Sequence, residues 1–382
     1  MGLTPPISKS DAHRALVLRW LFNEPTDLGN SPPRDVVVLQ RGLEQLRTNA
    51  DRTIDCHDAG APFRILVALA ALTLGTTRFT GTPRLAQRPH APLYSALGSI
   101  ELGENGFPIV HGAHRPRDLR FTCTASDSSQ YATALLLASA AHLLRDRANT
   151  AEVVIEGQVA SAGYLALTIR WLEDAGFTFT NSRLTAVTPH APTRPIPGDW
   201  SSLGYLLLIA HATGHQVASV GDPALHPDGA ILGAFAQAGL RLDNATLSGK
   251  PSGHLDVSAN AMPDAMLTLA ALACVLPGPS TFRDLGILRH KESDRVESLR
   301  ALVTAAGGRT ELHGDTLQLL PPKAVQPLQL HSRDDHRLAM SAATLAALAH
   351  VPLHLSGADC VEKSFPTFFR ELRRAGVTFE LR

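Results

Sequence analysis

The sequence predicts an α/β protein of two similar domains, each made of three repeated units. A chain of 382 residues is long for one hydrophobic core and suits two domains. One pattern recurs along it: an amphipathic helix, a glycine, and then a short strand of alternating polarity. Ala- and Leu-rich runs stand between the copies, and because they are apolar nearly all round they indicate buried helices.

The clearest copies of the pattern contain glycines spaced by roughly 65 residues, a period that indicates internal repetition. A glycine after the last helical residue favours a C-cap and releases the chain into a strand. A looser copy, LYSALGSIELGENGFPI, and a degenerate one, GLEQLR, bring the total to about six units. The four clear copies are LTIRWLEDAGFTFT, ILGAFAQAGLRLD, LRALVTAAGGRTEL and FFRELRRAGVTFEL, with Gly176, Gly239, Gly307 and Gly376.

Five apolar runs predict the buried helices, and one proline-rich segment predicts the domain boundary. The segment is TPHAPTRPIPGDW, from Thr188 to Trp200. We therefore expect an N-terminal domain over 8–196 and a C-terminal domain over 197–382, the latter joined by residues 1–7. The five runs are FRILVALAALTLG, YATALLLASAAHLL, YLLLIAHATG, MLTLAALACVL and LAMSAATLAALAH.

Composition excludes several classes of protein. The 35 basic and 35 acidic residues balance, which argues against a general nucleic-acid binder. No apolar stretch is long enough to cross a membrane, and the first residues lack the features of a signal peptide, so we expect a cytoplasmic protein. The four cysteines are scattered and form no C-x-x-C pair, which favours reduced thiols over disulfides or a zinc site.

The predicted buried helices open with similar polar clusters, whose Ser and Asp residues are explained by helix capping alone. Capping does not explain the cations, because a cation at a helix N-terminus opposes the helix dipole. We predict Arg14, Arg64 and Arg337 in first helical turns, where backbone N–H groups and side chains together bind anions. The clusters are SKSDAHRA, HDAGAPFR, SDSSQY, MPDAM and RDDHRLAM.

A second set of cations stands in RHKESDRVES, from Arg289 to Ser298. If a helix begins inside this stretch, Lys291 and Arg295 lie four residues apart in its first turn and repel each other. A bound anionic ligand would remove this repulsion. Arg88, in a proline-bounded loop, and Lys363, before the last helix, are explained equally well as solvated surface residues. From the residues alone, the chain is a two-domain enzyme that binds a multiply anionic small substrate. Asp264 and Glu292 are its candidate acid–base groups.

Other catalytic templates are missing from the sequence. It contains no P-loop and no G-x-G-x-x-G after a strand, and it lacks the G-x-S-x-G and H-E-x-x-H motifs. None of its 17 histidines forms a pair with a convincing metal-binding spacing. From the residues alone, His336 is therefore explained better as a polar cap residue than as a ligand.

Taken together, the motifs resemble those of the 5-enolpyruvylshikimate-3-phosphate synthase family of enolpyruvyl transferases. SKSDAHRA resembles S-K-S-x-x-N-R-A, HDAGAPFR resembles N-A-G-T-x-x-R, QRP resembles E-R-P, SSQY resembles S-S-Q-[YF], and SAGY resembles S-x-P-Y. MPDA, KESDR, DDHRLAM and KSFPTFF match almost literally. Nine motifs in the same order, from Lys9 to the C-terminus, make the resemblance highly specific.

The resemblance implies the enolpyruvyl transferase fold, two domains of three β-α-β-α-β-β-type units. It implies transfer of the enolpyruvyl group of phosphoenolpyruvate (PEP) to the 5-hydroxyl of shikimate 3-phosphate, with release of phosphate. This is a step of the shikimate pathway toward chorismate and aromatic amino acids. The family pattern implies no metal and no organic cofactor, small-molecule substrates as the only partners, no contact with nucleic acid or membrane, and a monomer.

The resemblance also implies roles for particular residues. The catalytic residues are Asp264 as base on the 5-hydroxyl, Glu292 as proton donor to C3 of PEP, and Lys9. Shikimate 3-phosphate is expected to contact Lys9, Ser10, Arg14, Ser128, Ser129, Gln130, Ser161, Tyr164, Asp264 and Lys291. PEP is expected to contact Lys9, Gly60, Arg88, Gln130, Arg295, His336, Arg337 and Lys363. Asp58 and Arg64 are further candidate residues of the site.

Several positions depart from the family pattern. Asp58 replaces the usual Asn and puts a carboxylate near the expected PEP site, and Ala61 replaces the usual Thr. These changes leave two alternatives open: a specialised enolpyruvyl transferase acting on a related cyclic substrate, and a non-catalytic ligand-binding paralogue. The sister enzymes that act on a UDP-aminosugar are disfavoured, because the loop before Arg88 lacks their reactive cysteine.

Overall fold

The computed structural model describes residues 2–47, 51–98, 100–113, 118–146 and 150–382. The chain divides into two compact units. The N-terminal unit comprises Lys9–Asn30 and Arg34–Ile196, and the C-terminal unit comprises Met1–Ser8, Ser31–Pro33 and Pro197–Arg382. Among the described residues, no helix combines the length and the apolar character needed to cross a membrane.

Helices and strands alternate along both units. The helices are α1 (Lys9–Leu21), α2 (Arg34–Leu46), α3 (Gly60–Ala70), α4 (Pro83–Gln87), α5 (Ala91–Leu97), α6 (Gln130–Asp146), α7 (Ala162–Asp174), α8 (Trp200–Thr213), α9 (Ile231–Gln237), α10 (Met266–Ala273), α11 (Arg295–Ala305), α12 (His336–Ala349) and α13 (Phe368–Arg374). Short 3-10 helices cover Pro223–Leu225, Pro227–Ala230, Leu285–His290 and Ala358–Lys363.

The strands are β1 (Arg52–Asp55), β2 (Gly75–Thr80), β3 (Glu101–Leu102), β4 (Pro108–Gly112), β5 (Leu119–Thr124), β6 (Thr150–Glu156), β7 (Phe177–Thr180), β8 (Arg183–Ala186), β9 (Leu240–Asp243), β10 (Thr246–Gly249), β11 (Asp256–Ser258), β12 (Ser280–Arg283), β13 (Arg309–His313), β14 (Thr316–Leu320), β15 (Leu328–His331), β16 (Leu353–Ser356) and β17 (Phe379–Leu381).

The five apolar runs form α3, α6, α8, α10 and α12, as predicted. Every residue of α10 is buried, and α8 is buried from Trp200 to Ala210. A helix without a polar face can only be stable inside a core, which explains why these sequences lack the usual amphipathic period. The amphipathic helices, such as α2 with its exposed Arg41 and Glu44, cover the outside.

Three four-stranded sheets among the described residues repeat one topology, and this repetition was expected from the sequence. Their orders are β1-β2-β4-β3, β5-β6-β8-β7 and β11-β12-β14-β13. In each sheet the first two strands are parallel and the last two form an antiparallel hairpin. A buried helix joins the parallel pair, because parallel strands require a crossover connection.

The other repeats are reduced. In the C-terminal unit, β15, β16 and β17 form a three-stranded parallel sheet, and β9 and β10 form a lone hairpin. Near that hairpin, Leu3 makes a parallel bridge to Val217, and the Val217 N–H donates to the Ala245 carbonyl at 3.3 Å. Leu3 thus stands in the place of the missing first strand of this repeat.

The helix ends were predicted better than the helix starts. Gly176, Gly239, Gly307 and Gly376 all follow helices with φ between 73° and 87°, which confirms them as helix-ending glycines. At the starts, Asp335 caps α12 as predicted, since its side chain accepts from the Arg337 N–H.

Other predicted helix starts were wrong. The residues before α3 and α10 are Ala59 and Ala265, so Asp58 and Asp264 are not N-caps. Arg14 and Arg64 lie in the second turns of α1 and α3, one turn later than predicted.

The predicted repulsion between Lys291 and Arg295 within one helical turn was also wrong. Helix α11 begins at Arg295, and Lys291 lies before it in extended backbone. The N-cap is Asp294, whose carboxylate accepts from the N–H groups of Val296 (3.0 Å) and Glu297 (3.3 Å). Asp294 also accepts from Arg289 at 3.3 Å, so it both caps the helix and orients a cation.

Candidate active site

The repeated topology brings the predicted site residues to equivalent places. In each complete unit, one group follows the first parallel strand at the start of the buried helix, and another follows the second parallel strand. Gly60 and Arg88 occupy these places after β1 and β2, and Asp264 and Glu292 occupy them after β11 and β12. The carboxyl ends of parallel strands lie at one edge of a sheet, where α/β proteins bind ligands.

Lys9, the first residue of α1, pairs with a carboxylate that the sequence analysis did not select. Its Nζ lies 3.0 Å from Asp35 Oδ2, and the Asp35 side chain is only 3% exposed. His13, one turn further along α1, is buried nearby, and burial lowers its pKa to about 3 although Asp35 opposes the shift. A neutral imidazole therefore adds no charge beside Lys9.

Arg14, on α1, contacts α7 and also α6, where its Nη2 lies 3.4 Å from Thr133 Oγ1. Its Nη1 donates to the Ser10 carbonyl at 2.6 Å, its Nη2 to the Tyr164 carbonyl at 2.9 Å, and its Nε to Thr168 Oγ1 at 3.0 Å. Burial lowers the pKa of Arg14 to about 10, against the opposing effect of Asp11, so it stays protonated at neutral pH. Arg14 thus fixes the positions of Ser10 and Tyr164 relative to each other.

Arg64 and Arg88 lie against Gly60, where α3 begins. Arg64 Nη1 donates to Gln130 Oε1 at 2.6 Å and to the Gly60 carbonyl at 3.3 Å, and Nη2 donates to the Pro89 carbonyl at 3.0 Å. A Cβ added at Gly60 would collide with the Arg88 guanidinium. Only glycine, therefore, lets this guanidinium approach the first N–H groups of α3.

The predicted serines lie at the starts of α6 and α7. Ser128 Oγ accepts from the Gln130 N–H at 3.2 Å, and Ser129 is buried beside it. Ser161 precedes α7 in the left-handed conformation, with φ 56° and ψ 47°. This conformation costs a non-glycine residue about 1 kcal/mol.

Asp58, which stands in place of the family's Asn, is paired with a cation. Arg34 Nη2 lies 3.2 Å from Asp58 Oδ1, and the two side chains are 38% and 23% exposed. Arg34 is the first residue of α2 and directly precedes Asp35. The first turn of α2 therefore contacts Asp58 through one residue and Lys9 through the next.

In the C-terminal unit, Arg295 bonds to three carboxylates. Its Nη1 donates to Asp264 Oδ1 at 2.7 Å and its Nη2 to Glu292 Oε2 at 2.7 Å. Its Nε donates to Asp335 Oδ2 at 3.1 Å. The Arg295 side chain is only 2% exposed, and the three carboxylates raise its pKa further despite the opposing effect of burial.

Asp264 lies between two arginines. Arg337 Nη2 donates to Asp264 Oδ2 at 2.7 Å, so each carboxylate oxygen has its own guanidinium. Burial alone would raise the pKa of Asp264, but Arg337, Arg295 and Lys291 together hold it well below its usual range. Asp264 is therefore ionised at neutral pH.

The remaining predicted residues of this unit surround the same cluster. Lys363 is fully buried, with its Nζ 4.0 Å from Glu292 Oε1. His336 is buried beside Asp335, with 4.0 Å between its Nδ1 and the nearer carboxylate oxygen. Within the described part of the chain, no group of three or more His, Cys, Asp or Glu side chains is arranged to hold a metal ion.

Four residues with clear positions in these clusters were not predicted as site residues: Arg34, Asp35, Ser293 and Asp335. Ser293 Oγ donates to Asp335 Oδ2 at 2.7 Å, so Asp335 is fixed by both Ser293 and Arg295. Asp335 was identified only as a cap. The sequence signal that distinguishes Asp335 is the pair of adjacent acidic residues in DDHR. One of them is enough to cap the helix, so capping does not explain why there are two.

Comparison with known proteins identifies the family of the chain. The family model of EPSP synthase (3-phosphoshikimate 1-carboxyvinyltransferase) matches residues 27–372. The chain belongs to this family. The resemblance predicted from the motifs is thereby confirmed, together with the class of enzyme, a transferase of the shikimate pathway.

Relatives match over nearly the whole chain. The 3-phosphoshikimate 1-carboxyvinyltransferase of Methanopyrus kandleri is 29% identical and covers 98% of this chain and 95% of its own length. That of Bordetella avium is 31% identical and covers 95% and 93%. A structure of EPSP synthase from Acinetobacter baumannii superposes with a TM-score of 0.70 at 16% identity, over 99% of this chain and 96% of that one, which confirms the fold.

Proposed function

We propose that the chain transfers the enolpyruvyl group of PEP to the 5-hydroxyl of shikimate 3-phosphate, as a monomer in the cytoplasm. The hydroxyl oxygen bonds to C2 of PEP while C3 takes up a proton, which gives a tetrahedral intermediate. Loss of phosphate from C2 and of a proton from C3 then re-forms the double bond. The chemistry requires an acid, a base and cations that offset the charges of two anionic substrates.

The N-terminal unit supplies most of the groups for shikimate 3-phosphate and those for the phosphate of PEP. We assign the 3-phosphate to the hydroxyls of Ser128, Ser129 and Ser161 of this unit and to Lys291 of the C-terminal unit. Ser10 and Tyr164, held in place by Arg14, line the same pocket. The Gly60 N–H lies at the start of α3, where anions bind readily, beside Arg88 and the Arg64–Gln130 pair.

The C-terminal unit supplies the groups for the PEP carboxylate. Arg295 and Arg337 present planar guanidinium groups that already bind a carboxylate, that of Asp264. The carboxylate of PEP has the same geometry and competes for the same N–H groups. When it binds, Asp264 loses partners that keep its pKa low and becomes a stronger base for the 5-hydroxyl.

Glu292 is the proposed proton donor to C3. Its side chain accepts from Arg295 and lies near Lys363, so it shares the cations that we assign to PEP. Lys9, oriented by Asp35, has the remaining acid–base role. The observation that carries the proposal is that the Asp264 carboxylate is held between Arg295 and Arg337. This arrangement places the proposed base, Asp264, beside two arginines that bind a carboxylate.

The test is phosphate release from shikimate 3-phosphate plus PEP, measured in a coupled assay. We expect turnover that depends on both substrates. Substituting Lys291→Met should raise KM for shikimate 3-phosphate by about tenfold or more, because one charged contact to the phosphate is lost.

Lys323→Met is the matched control, since Lys323 is an exposed lysine of the same unit, and it should leave both KM values unchanged. Absence of turnover by well-folded protein would contradict the proposed function. Turnover with an unchanged KM for shikimate 3-phosphate in Lys291→Met would remove only Lys291 from the site.

A further inference from the structure

The carboxylate of Asp58 is a problem for a site that binds phosphate. Asp58 lies two residues before Gly60, whose N–H is assigned to the phosphate of PEP. An uncompensated carboxylate at this distance from a dianionic group weakens its binding, because the two charges repel each other. The residue at this position in the family pattern, Asn, carries no charge.

Arg34 offsets this charge. Its Nη2 lies 3.2 Å from Asp58 Oδ1, and both side chains are partly shielded from water. Ion pairs in such positions are screened less than pairs on the open surface. The pair also joins the first turn of α2 to the turn before α3, where the Thr82 N–H donates to the His57 carbonyl at 2.7 Å.

Asp35, the next residue of α2, pairs with Lys9 at 3.0 Å. Arg34 thus contacts the anionic Asp58, and Asp35 contacts the cationic Lys9. Both contacts lie near the proposed phosphate position. Arg88 and Arg64 lie against Gly60, two residues after Asp58. The first turn of α2 therefore contacts the proposed phosphate subsite at two points, Asp58 and Lys9.

We infer that Arg34 is a positioning and charge-compensating residue for the PEP phosphate subsite, and that it acts through Asp58. The inference rests on the proposed function, since it assumes that PEP is a substrate. It makes Arg34 and Asp58 an interdependent pair: the cation is needed because the carboxylate is present. This pair adapts the subsite to the change from Asn to Asp.

The experiment is a double-mutant cycle. Arg34→Gln should raise KM for PEP about fivefold to tenfold, as expected for exposing one partly screened charge, with little change in KM for shikimate 3-phosphate. In an Asp58→Asn background, Arg34→Gln should change KM for PEP less than about twofold, because the ion pair that the substitution removes is already absent there. Arg34→Lys, which keeps the charge, should stay within about threefold of the parent.

Arg41→Gln is the matched control, because Arg41 lies on the same helix seven residues later and is exposed. It should leave KM for PEP unchanged. Equal effects of Arg34→Gln in the two backgrounds, or an unchanged KM for PEP in the parent background, would overturn the inference while the parent enzyme still turns over. A folded parent without turnover would instead overturn the proposed function, and the inference with it.

Discussion

Asp264 is kept ionised by its neighbours. Its folded-state pKa is below the usual value near 4, because the attraction of Arg337, Arg295 and Lys291 exceeds the effect of burial. A carboxylate with a lowered pKa stabilises the fold fully above its unfolded pKa, and this contribution is lost as the pH falls through the folded pKa. The stabilisation from Asp264 is therefore complete at pH 7.

Asp264→Asn should lower the free energy of unfolding by about 2–3 kcal/mol at pH 7, since two buried arginines lose a shared counter-charge. The difference from the parent should shrink as the pH falls below about 4. Urea unfolding of both proteins from pH 7 to pH 3 measures it. Asp243→Asn is the control, because Asp243 is an exposed residue of the same unit, and it should change the free energy of unfolding little at either pH. A difference that is independent of pH would contradict the assignment.

At the scale of single residues, the sequence predicted several of the charged residues in these clusters, but it did not predict which of them form ion pairs. Arg295 and Arg337 were identified because cations near a helix start need an explanation, and Asp264 followed from its motif. Their pairing joins residues 31 and 73 positions apart, which no local pattern encodes. Arg34 was missed because only the segment GLEQLR was recognised in this region, so no helix start was expected at Arg34.

At the scale of helices and strands, the glycines after helices have one conformation but different surroundings. Gly239 and Gly376 belong to the same unit and have φ of 73° and 76°. A Cβ at Gly376 meets nothing within 4 Å, whereas one at Gly239 lies 2.9 Å from the Lys250 carbonyl oxygen and collides with Ser252 Oγ.

Gly376→Ala should destabilise the protein by about 1 kcal/mol, which is the cost of the left-handed conformation alone. Gly239→Ala should cost about 1–3 kcal/mol more, because the backbone near Lys250 has to move. Chemical denaturation of the two variants measures the difference. Equal losses would mean that steric contact at Gly239 is relieved without cost.

The ends of helices were predictable from glycine, but most of their starts were not, and Lys291 shows why. The charge pattern of RHKESDR suggested a helix from about Lys291, yet Asp294 accepts from the N–H groups of the first turn and fixes the start at Arg295. A 3-10 helix, Leu285–His290, occupies the residues before it. Because several polar residues in this stretch can cap a helix, only the packing decides which one does.

At the scale of the whole molecule, the repeat was predictable but its incomplete copies were not. Periodic glycines and buried helices indicated six units. The absence of a strand from one of these units leaves no trace in that period, so the reduced units were not predicted. The reduced repeat near β9 and β10 depends on residues from the other end of the chain. The Ala218 N–H donates to the Leu3 carbonyl at 2.7 Å, and the Thr4 N–H donates to the buried carboxylate of Glu371 at 3.1 Å.

Leu3→Ala should therefore destabilise the C-terminal unit, although the other two segments of this unit, Ser31–Pro33 and Pro197–Arg382, are distant from Leu3 in the sequence. Leu3 is fully buried in the core of the C-terminal unit, and a leucine truncated in a core costs about 2–4 kcal/mol. Leu225→Ala is the matched control, since Leu225 belongs to the same unit but is 42% exposed, and it should cost little. Hydrogen exchange should show faster exchange in α8, α10 and α12 and unchanged exchange in α3 and α6. Equal acceleration in both units would show that they unfold together, and no acceleration would show that Leu3 contributes nothing to the core.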